Sequence, residues 1–321
     1  MAKQNKTPTA PINSALKNKV ADTAPRADIV LLVSCINSNY NGDPDDEGRP
    51  RIDDDNFGIM TAVSFKRKLR DTIGIYRDDE SIDLFKPETN QIFVEKHTVR
   101  TAKMKDNIDY KKFADLDKAL TAKDSSKDKV SGALVSREAR AYAADEICKK
   151  FVDARMFGQV LGNVGNITGA VQVENSRSVN QVVISDRCIT VEQVANGAEA
   201  ESKQATMGRQ SSAKYALFPI YIHVNPFRAK ETGFTKEDYN NLLVILQEAY
   251  DVTNSSVRFL QFEKMYVFEH ADKRGSMPTA LVRKAVRIKQ KVESPASFDD
   301  FDVELDKNLI GKYNGIKVIE K

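Results

Sequence analysis

Residues 39–70 decide the fold that this sequence predicts, and they contain Asn39-Tyr-Asn-Gly-Asp-Pro44, Gly48-Arg-Pro-Arg51, Asp53-Asp-Asp55 and Ser64-Phe-Lys-Arg-Lys-Leu-Arg70. The apolar, β-branched run Ile29–Ile36 lies before them and predicts a strand. Asparagine, glycine, aspartate and proline then end that strand and turn the chain. We therefore predict a strand, a turn and a helix, with side-chain amides and arginines gathered at the end of the strand.

The helix of this unit carries cations beside its apolar stripe. Along Ile59–Ile73 the apolar residues recur at helical spacing. Lys66 and Arg70 border the stripe, Arg67 comes next, and only Lys68 points away from it. An ordinary solvated charge run lies opposite the apolar stripe. Two interpretations stay open: the cations hold a fixed anionic partner, or their stems lie on apolar surface while their heads reach water.

Composition excludes several classes of protein. The 321 residues carry 49 basic and 46 acidic side chains, and a net charge of +3 means that any nucleic-acid-binding surface must be local. Cys35, Cys148 and Cys188 are too scattered for a disulfide framework or a zinc site, which predicts a reducing cytoplasm. No apolar run approaches the length of a membrane span, so we expect a cytoplasmic protein without a membrane partner.

The order of predicted elements is strand, helix, strand, then strand, helix, strand. This order predicts an α+β fold with a ferredoxin-like antiparallel sheet, the scaffold of RNA-recognition modules. We expect one domain over residues 28–305, a disordered polar tail over residues 1–27 and a short C-terminal tail over residues 306–321. Residues 100–152 are charged and helical in pattern, and residues 195–213 lack large apolar side chains, which predicts a helical insertion and a protruding hairpin.

Two further segments have the pattern of strands, Gln91–Val99 and Leu281–Val292. Alternation along the second one places four cations on one face: Arg283, Arg287, Lys289 and Lys291. Like charges on one sheet face repel one another. Either solvent or a bound polyanion would relieve that repulsion, so this strand is a candidate contact for RNA.

The acidic loop at residues 43–55 supports the main alternative, a metal-dependent RNA endonuclease. Six carboxylates could hold Mg²⁺ for phosphoryl transfer: Asp43, Asp45, Asp46, Asp53, Asp54 and Asp55. The nearest match to a calcium loop lacks Asp at its first position and has Gly48 at its twelfth. We therefore predict no metal site here.

Other catalytic chemistry has little support. His97, His223 and His270 are too far apart in sequence to define a site, and no Ser, His and Asp constellation can be assembled. The glycine-rich run Gly158–Gly169 fits neither the dinucleotide fingerprint nor the P-loop, and we interpret it as a flexible connection. The prediction is a protein that is not an enzyme and needs no cofactor; a self-assembling scaffold without nucleic acid is the third alternative.

Short motifs in a fixed order resemble a known family. They are Asn41-Gly-Asp-Pro44, Arg49-Pro-Arg51, Lys66-Arg-Lys-Leu-Arg70, Asp153-Ala-Arg155-Met-Phe157-Gly158, Gly169-Ala-Val-Gln172, Arg177-Ser178, Met207-Gly-Arg209 and Val267-Phe-Glu-His270. Together, over about residues 28–305, they closely resemble the CRISPR Cascade backbone subunit of type I-C, a member of the seventh Cas family, with the type I-B relative next.

This resemblance implies a right-hand-like protein with an RNA-recognition-like palm, helical fingers in residues 100–152 and a hairpin thumb in residues 195–213. It implies copies that stack head to tail along a CRISPR guide RNA (crRNA) and present it for pairing with the target DNA strand of an R-loop in prokaryotic antiviral defence. Further implied partners are the small, large and guide-processing Cascade subunits. Cleavage of the target would belong to a recruited nuclease.

The motifs and the cation patterns together predict which residues bind RNA. They are Asn39, Asn41, Arg49, Arg51, Lys66, Arg67, Lys68, Arg70, Arg155, Gln172, Arg177, Met207, Arg209, Arg283 and Arg287. Arg155 has a second interpretation, an ion pair in the neighbourhood of Asp153, and both stay open at this point.

Overall fold

The computed structural model describes residues 22–121, 137–162, 165–191 and 206–321. Within them the strands are β1 (Arg26–Ser38), β2 (Phe57–Met60), β3 (Gly158–Val160), β4 (Asn166–Thr168), β5 (Val171–Val173), β6 (Ser176–Gln181), β7 (Ile184–Val191), β8 (Thr206–Val224), β9 (Leu260–His270), β10 (Val286–Gln290), β11 (Phe301–Leu305) and β12 (Ile316–Glu320). The helices are α1 (Ala62–Asp78), α2 (Arg100–Asn107), α3 (Tyr110–Thr121), α4 (Arg137–Lys150), α5 (Val152–Phe157), α6 (Pro226–Thr232), α7 (Lys236–Thr253), α8 (Thr279–Ala285) and α9 (Lys307–Ile310).

A six-stranded antiparallel sheet forms the centre of the molecule. Its order is β12-β9-β1-β8-β5, and β7 also pairs with β8. The register of β1 against β8 extends from Ala27 opposite Val224 to Ser38 opposite Ala213. Because β1 is central and covered on both faces, nearly every residue from Ala27 to Cys35 is buried. The strand predicted from the apolar run, and the mixed helix and antiparallel-sheet class, are confirmed.

Helices α1 and α7 cover one face of the sheet. Thr61 caps α1, and Phe65, Leu69 and Ile73 of the predicted stripe are buried in the main core with the inward residues of β1. Ile59, which the helical spacing also included, lies in β2 instead. Helix α7 begins with a capping box, so this layer is held at its helix ends as well as by packing.

The C-terminal part of the chain covers the opposite face. Residues from Met277 to Phe301 pack on Val30 and Leu32 in a second core. The long strand expected over Leu281–Val292 is wrong, because the chain forms helix α8 and then the short strand β10. Arg287 forms an ion pair with Asp306 just after β11 and lies opposite Glu304 across the hairpin, and Lys289 lies opposite Asp302. Acids of the protein itself therefore lie beside these cations and reduce the repulsion.

The ordered chain extends beyond both ends of the predicted domain, residues 28–305. Ala24 is buried, and its N–H donates to the Phe234 carbonyl, so the ordered chain begins before residue 28. The expected C-terminal tail is wrong as well, since β12 pairs with β9 as an outer strand of the main sheet. Strand β12 alternates in polarity and so could have been recognised. Most of the expected N-terminal tail lies outside the described residues.

The helical insertion has a core of its own. Met104, Ile147 and Phe151 pack together with Phe93 and neighbouring apolar residues. Gln91–Val99 is not a strand, since only an isolated bridge joins Gln91 to Phe151. Residues 122–136, which contain part of the predicted insertion, lie outside the described residues.

The glycine-rich run is a hairpin, not a simple flexible connection. Strands β3 and β4 pair with Gly158 opposite Thr168. Gly158 has a φ of +84°, and a Cβ atom there would lie 2.4 Å from the Ile167 carbonyl oxygen. Glycine is therefore required at this backbone crossing. Residues 163–164 of the run are outside the described part.

Candidate nucleic-acid interface

The turn that follows β1 is held by its two asparagines. The Asn39 amide nitrogen donates to the Gly48 carbonyl over 2.7 Å. The Asn41 carbonyl oxygen accepts from both the backbone N–H and the hydroxyl of Thr61, at 3.2 Å and 2.8 Å, and thereby ties the turn to the start of α1. Asn41 is thus a structural residue of the turn, and the turn sets the position of the arginines that follow it.

A cleft of about 750 Å³ opens beside this turn. We call it the arginine cleft. Its lining consists of Asn39, residues 46–49, residues 186–188, residues 209–211 and residues 257–258. Three separate parts of the fold meet here: the turn after β1, the base of the β7–β8 hairpin and the loop before β9. Four arginines line it: Arg49, Arg187, Arg209 and Arg258.

Two of these arginines hold exposed ion pairs. Arg49 lies 3.1 Å from Asp186, and Arg209 lies 3.5 Å from Glu47. A hydrogen bond from Ser211 and then the charge of Arg49 lower the pKa of Asp186, so the carboxylate is ionised. Arg187 and Arg258 are exposed and have no acidic partner among the residues that the structure describes. The cleft therefore offers two uncommitted cations and two that are weakly held.

The profile of the family described as CRISPR-associated protein Cas7 matches residues 25–306. The chain belongs to the Cas7 family. A CRISPR-associated protein Cas7 of Haloferax volcanii is 26% identical over 253 residues, which cover 76% of this chain and 70% of that protein. The family resemblance seen in the motifs is confirmed, while subtype I-C stays a prediction.

Two solved structures are similar in part. A chain of a "CRISPR RNA-guided surveillance complex, pre-nicking" aligns with a TM-score of 0.48 and 15% identity, over 80% of this chain and 81% of that one. A chain of a "CRISPR RNA-guided surveillance complex" aligns with a TM-score of 0.40 and 12% identity, over 80% and 73%. Within the described part of the chain, no helix has the length and apolar character needed to cross a membrane.

The cations of α1 in this Cas7 chain differ in their surroundings. Lys66 is half-buried, its Nζ lies 5.6 Å from the centre of the Phe157 ring, and no acid pairs with it among the described residues. Burial, and then the charge of Arg70, lower the pKa of Lys66, so an anionic ligand would be favourable beside it. Arg67 forms a local pair with Asp71 at 2.8 Å.

Lys68 does not point away from the packed face, as the helical spacing predicted. Its Nζ donates to the Thr253 carbonyl at the end of α7 over 2.7 Å. Burial is the main cause that lowers the pKa of Lys68, and the charge of Arg258 lowers it further. The Lys68 ammonium is therefore held within the protein, at the end of α7.

Two of the predicted RNA contacts are buried ion pairs instead. Arg70 lies 2.8 Å from Asp153, a side chain with 0% exposure that also accepts from the Phe93 and Val94 amides. Arg155 lies 2.6 Å from Asp238 and donates to the Thr89 carbonyl. Both arginines are explained by the fold, and Arg155 pairs with Asp238 rather than near Asp153.

The remaining predicted contacts do not line the arginine cleft. Arg51 pairs with Asp43 at 3.0 Å, and Arg177 pairs with Asp53 at 2.6 Å while its guanidinium lies 3.7 Å from the centre of the Phe57 ring. Arg283 pairs with Glu174, Arg287 pairs with Asp306, and Gln172 donates to the Gly169 carbonyl. Met207 lies in β8 opposite Thr190, and its side chain is outside the described part.

Arg187 and Arg258 are the cleft residues that sequence reasoning missed. Arg187 lies in the strand-like run after Gln181, where alternation could have marked it as exposed. Arg258 lies in a polar turn between α7 and β9 and carried no such signal. Both join the site because the fold brings distant segments together.

The carboxylates of the acidic loop form ion pairs with several different arginines. Asp43 pairs with Arg51, Asp46 lies 3.7 Å from Arg49, and Asp53 and Asp55 both contact Arg177. In the four described ranges, no three His, Cys, Asp or Glu side chains approach closely enough to hold a metal ion. This arrangement does not favour the endonuclease alternative.

Two histidines meet despite their separation in sequence. His223 and His270 both contact Asp28, the latter through Nε2 at 3.0 Å, and Arg26 lies 3.4 Å from the same carboxylate. His270 Nδ1 accepts from the Ser276 amide at 3.0 Å, which fixes the proton on Nε2. The cluster joins β1, β8 and β9 to the C-terminal cover.

Replacing Asp28 with alanine should lower the free energy of unfolding by about 3–5 kcal/mol, because it removes the partner of the buried His270 and of the partly buried His223 and Arg26. Burial raises the pKa of Asp28, but the bonds from His223 and His270 and the charge of Arg26 more than offset this, and the net shift is downward. A lowered pKa gives stability that is present above the ordinary aspartate pKa and is lost as the pH falls below it. Urea denaturation of wild type and variant at neutral and at acidic pH measures both effects, and equal stability at neutral pH would contradict the prediction.

Proposed function

We propose that this chain is the backbone subunit of a CRISPR Cascade surveillance complex, which binds guide RNA through the arginine cleft and the basic edge of α1. The observation that carries the proposal is the cleft itself, where Arg187 and Arg258 are exposed and no described acid pairs with them. Membership of the Cas7 family supports it. Guide RNA and other Cascade subunits are the partners; the named solved structures are RNA-guided surveillance complexes.

The ion pairs of the cleft are compatible with this role. Exposed pairs contribute about 0–1 kcal/mol, so a phosphate can replace Asp186 or Glu47 at little cost. Each bound phosphate releases counterions, and a filament of many copies needs only a few such contacts per copy. A net charge of +3 is therefore no obstacle.

We also propose that the central sheet is an RNA-recognition-like palm. The order β9-β1-β8-β5, with α1 before β5 and α7 before β9, supports a ferredoxin-like arrangement. The sheet face opposite these helices is covered by residues 277–318, so bases cannot stack on it as they do on free RNA-recognition sheets. Contacts to the RNA backbone beside the sheet fit this geometry.

The residues at 195–213 are proposed as the thumb that reaches a neighbouring copy in a head-to-tail filament. Their described part continues β8 away from the sheet centre and pairs with β7. Pairing of the bound guide with a target DNA strand would supply sequence recognition, which leaves the protein to hold the backbone. We propose no catalytic turnover for this subunit, and a cytoplasmic site of action.

Cys188 provides the experiment, because it is exposed and lines the cleft while Cys35 and Cys148 are buried. Burial raises the pKa of the Cys35 thiol to about 12, which further suppresses its reaction. With RNA bound, alkylation of Cys188 by N-ethylmaleimide should slow at least about tenfold, since the phosphate backbone would cover the thiol. Mass spectrometry of tryptic peptides measures each cysteine separately.

The two buried cysteines are internal controls that should stay unmodified with and without RNA. If the protein binds RNA in gel filtration but N-ethylmaleimide alkylates Cys188 at an unchanged rate, the RNA lies outside the arginine cleft. Protein that binds no RNA at all would contradict the proposed function and favour a scaffold. RNA that is cut during the incubation would favour the nuclease alternative.

A further inference from the structure

Asn39 is the most deeply placed polar side chain of the arginine cleft. Only 6% of it is exposed. Its backbone N–H donates to the Val257 carbonyl over 3.0 Å, so the residue is fixed between the turn and the loop before β9. Both of these segments line the cleft.

The orientation of the Asn39 amide is fixed by its partner. The nitrogen must face the Gly48 carbonyl, because two carbonyl oxygens would repel each other there, and the donor lies 2.7 Å from it. The remaining atom, Oδ1, is buried and has no hydrogen-bonding partner among the residues that the structure describes. A buried acceptor without a donor is unfavourable, and a ligand that supplies the donor gains that free energy on binding.

The missing donor narrows the chemistry of the ligand. Phosphate oxygens accept hydrogen bonds and suit the arginines of the cleft, but they cannot satisfy Oδ1. The ribose 2′-hydroxyl lies next to a phosphate and can donate, and deoxyribose lacks it. A ribonucleotide therefore supplies both a phosphate for the arginines and a hydroxyl donor for Oδ1. A deoxyribonucleotide supplies only the phosphate.

We propose that Asn39 selects RNA over DNA by accepting a hydrogen bond from a ribose 2′-hydroxyl whose neighbouring phosphate lies against the cleft arginines. This inference rests on the proposed function. Oδ1 has no exposed surface in this conformation, so a ribose reaches it only when a side chain of the cleft wall moves while the bond from Asn39 to Gly48 stays in place. The pair between Arg49 and Asp186 is exposed and weak, so a phosphate can draw the Arg49 side chain away.

A matched pair of oligonucleotides tests the proposal on the intact protein. Polyuridine RNA and its 2′-fluoro analogue share a sugar pucker and a charge, but the analogue has no 2′ donor. Wild type should bind the fluoro strand about two- to tenfold more weakly, the range expected for one net hydrogen bond. Asn39→Ala should bind both strands equally.

Asn180 is the control, since it is similarly buried but lies outside the cleft lining and its Oδ1 accepts from the Leu217 amide over 3.1 Å. Asn180→Ala should keep the wild-type preference for the 2′-hydroxyl strand. Equal binding of both strands by wild type overturns the inference. That result is also expected if a base, which both strands share, supplies the donor instead of the 2′-hydroxyl. A preference that survives in Asn39→Ala overturns it too. Failure of wild type to bind any strand overturns the proposed function and this inference with it. If Asn39→Ala does not fold, the comparison of the RNA and 2′-fluoro strands on wild type decides.

Discussion

Replacing Arg187 and Arg258 together with alanine is expected to weaken binding of single-stranded RNA by roughly 100-fold. Both are exposed, both line the arginine cleft, and neither forms an ion pair with an acidic side chain among the described residues. At the lower end of the range for charge-assisted hydrogen bonds, two lost contacts amount to about 3 kcal/mol. The slope of log affinity against log salt should also become shallower by about 1.4, or 0.7 for each phosphate contact on a single strand.

A matched control separates these contacts from general attraction. Arg228 and Arg274 are also exposed, lie outside the cleft lining and pair locally with Glu231 and Asp272. Their double replacement with alanine removes the same charge and should leave the salt slope nearly unchanged. Fluorescence anisotropy over a range of salt concentrations measures both variants. Equal losses for the two pairs would mean that net charge, not the cleft, governs binding.

The sequence was most informative where the signals were local. The strand before the turn and the apolar stripe of α1 each depend on residues close in the chain, and the structure contains both. Family membership also followed from the order of short motifs, although each motif alone is weak. These features needed no knowledge of distant contacts.

The roles of individual cations could not be read from the sequence where the deciding partner is distant. Helical spacing showed that Arg70 borders the packed face, but it could not show that Asp153, 83 positions away, would meet it there. Arg155 and Asp238 are separated by the same number of positions. On β10 the cause is the same, because the acids beside Arg287 and Lys289 lie on β11 or just after it. A cation beside a core therefore predicts an anion, and the sequence does not say whether that anion is a ligand or a side chain.

Asp153→Ala is expected to lower the free energy of unfolding by about 3–5 kcal/mol, because it leaves the buried guanidinium of Arg70 without its counterion. Asp153 also accepts hydrogen bonds from the Phe93 and Val94 amides, at 2.6 Å and 3.1 Å, so three donors lose one acceptor. These bonds join α1 and α5 to the segment that leads into the helical insertion. Urea denaturation followed by circular dichroism measures the loss.

Asp78→Ala is the control, since Asp78 pairs with Arg77 but is 66% exposed and should cost less than about 1 kcal/mol. A double variant, Arg70→Met with Asp153→Leu, removes both charges and should recover the part of the loss that comes from the unpaired guanidinium, while the Phe93 and Val94 amides stay without their acceptor. That variant also tests the role of Arg70. Retained RNA binding would show that Arg70 serves the fold alone. A stable double variant that no longer binds RNA would restore Arg70 as a direct contact, as the motif had predicted.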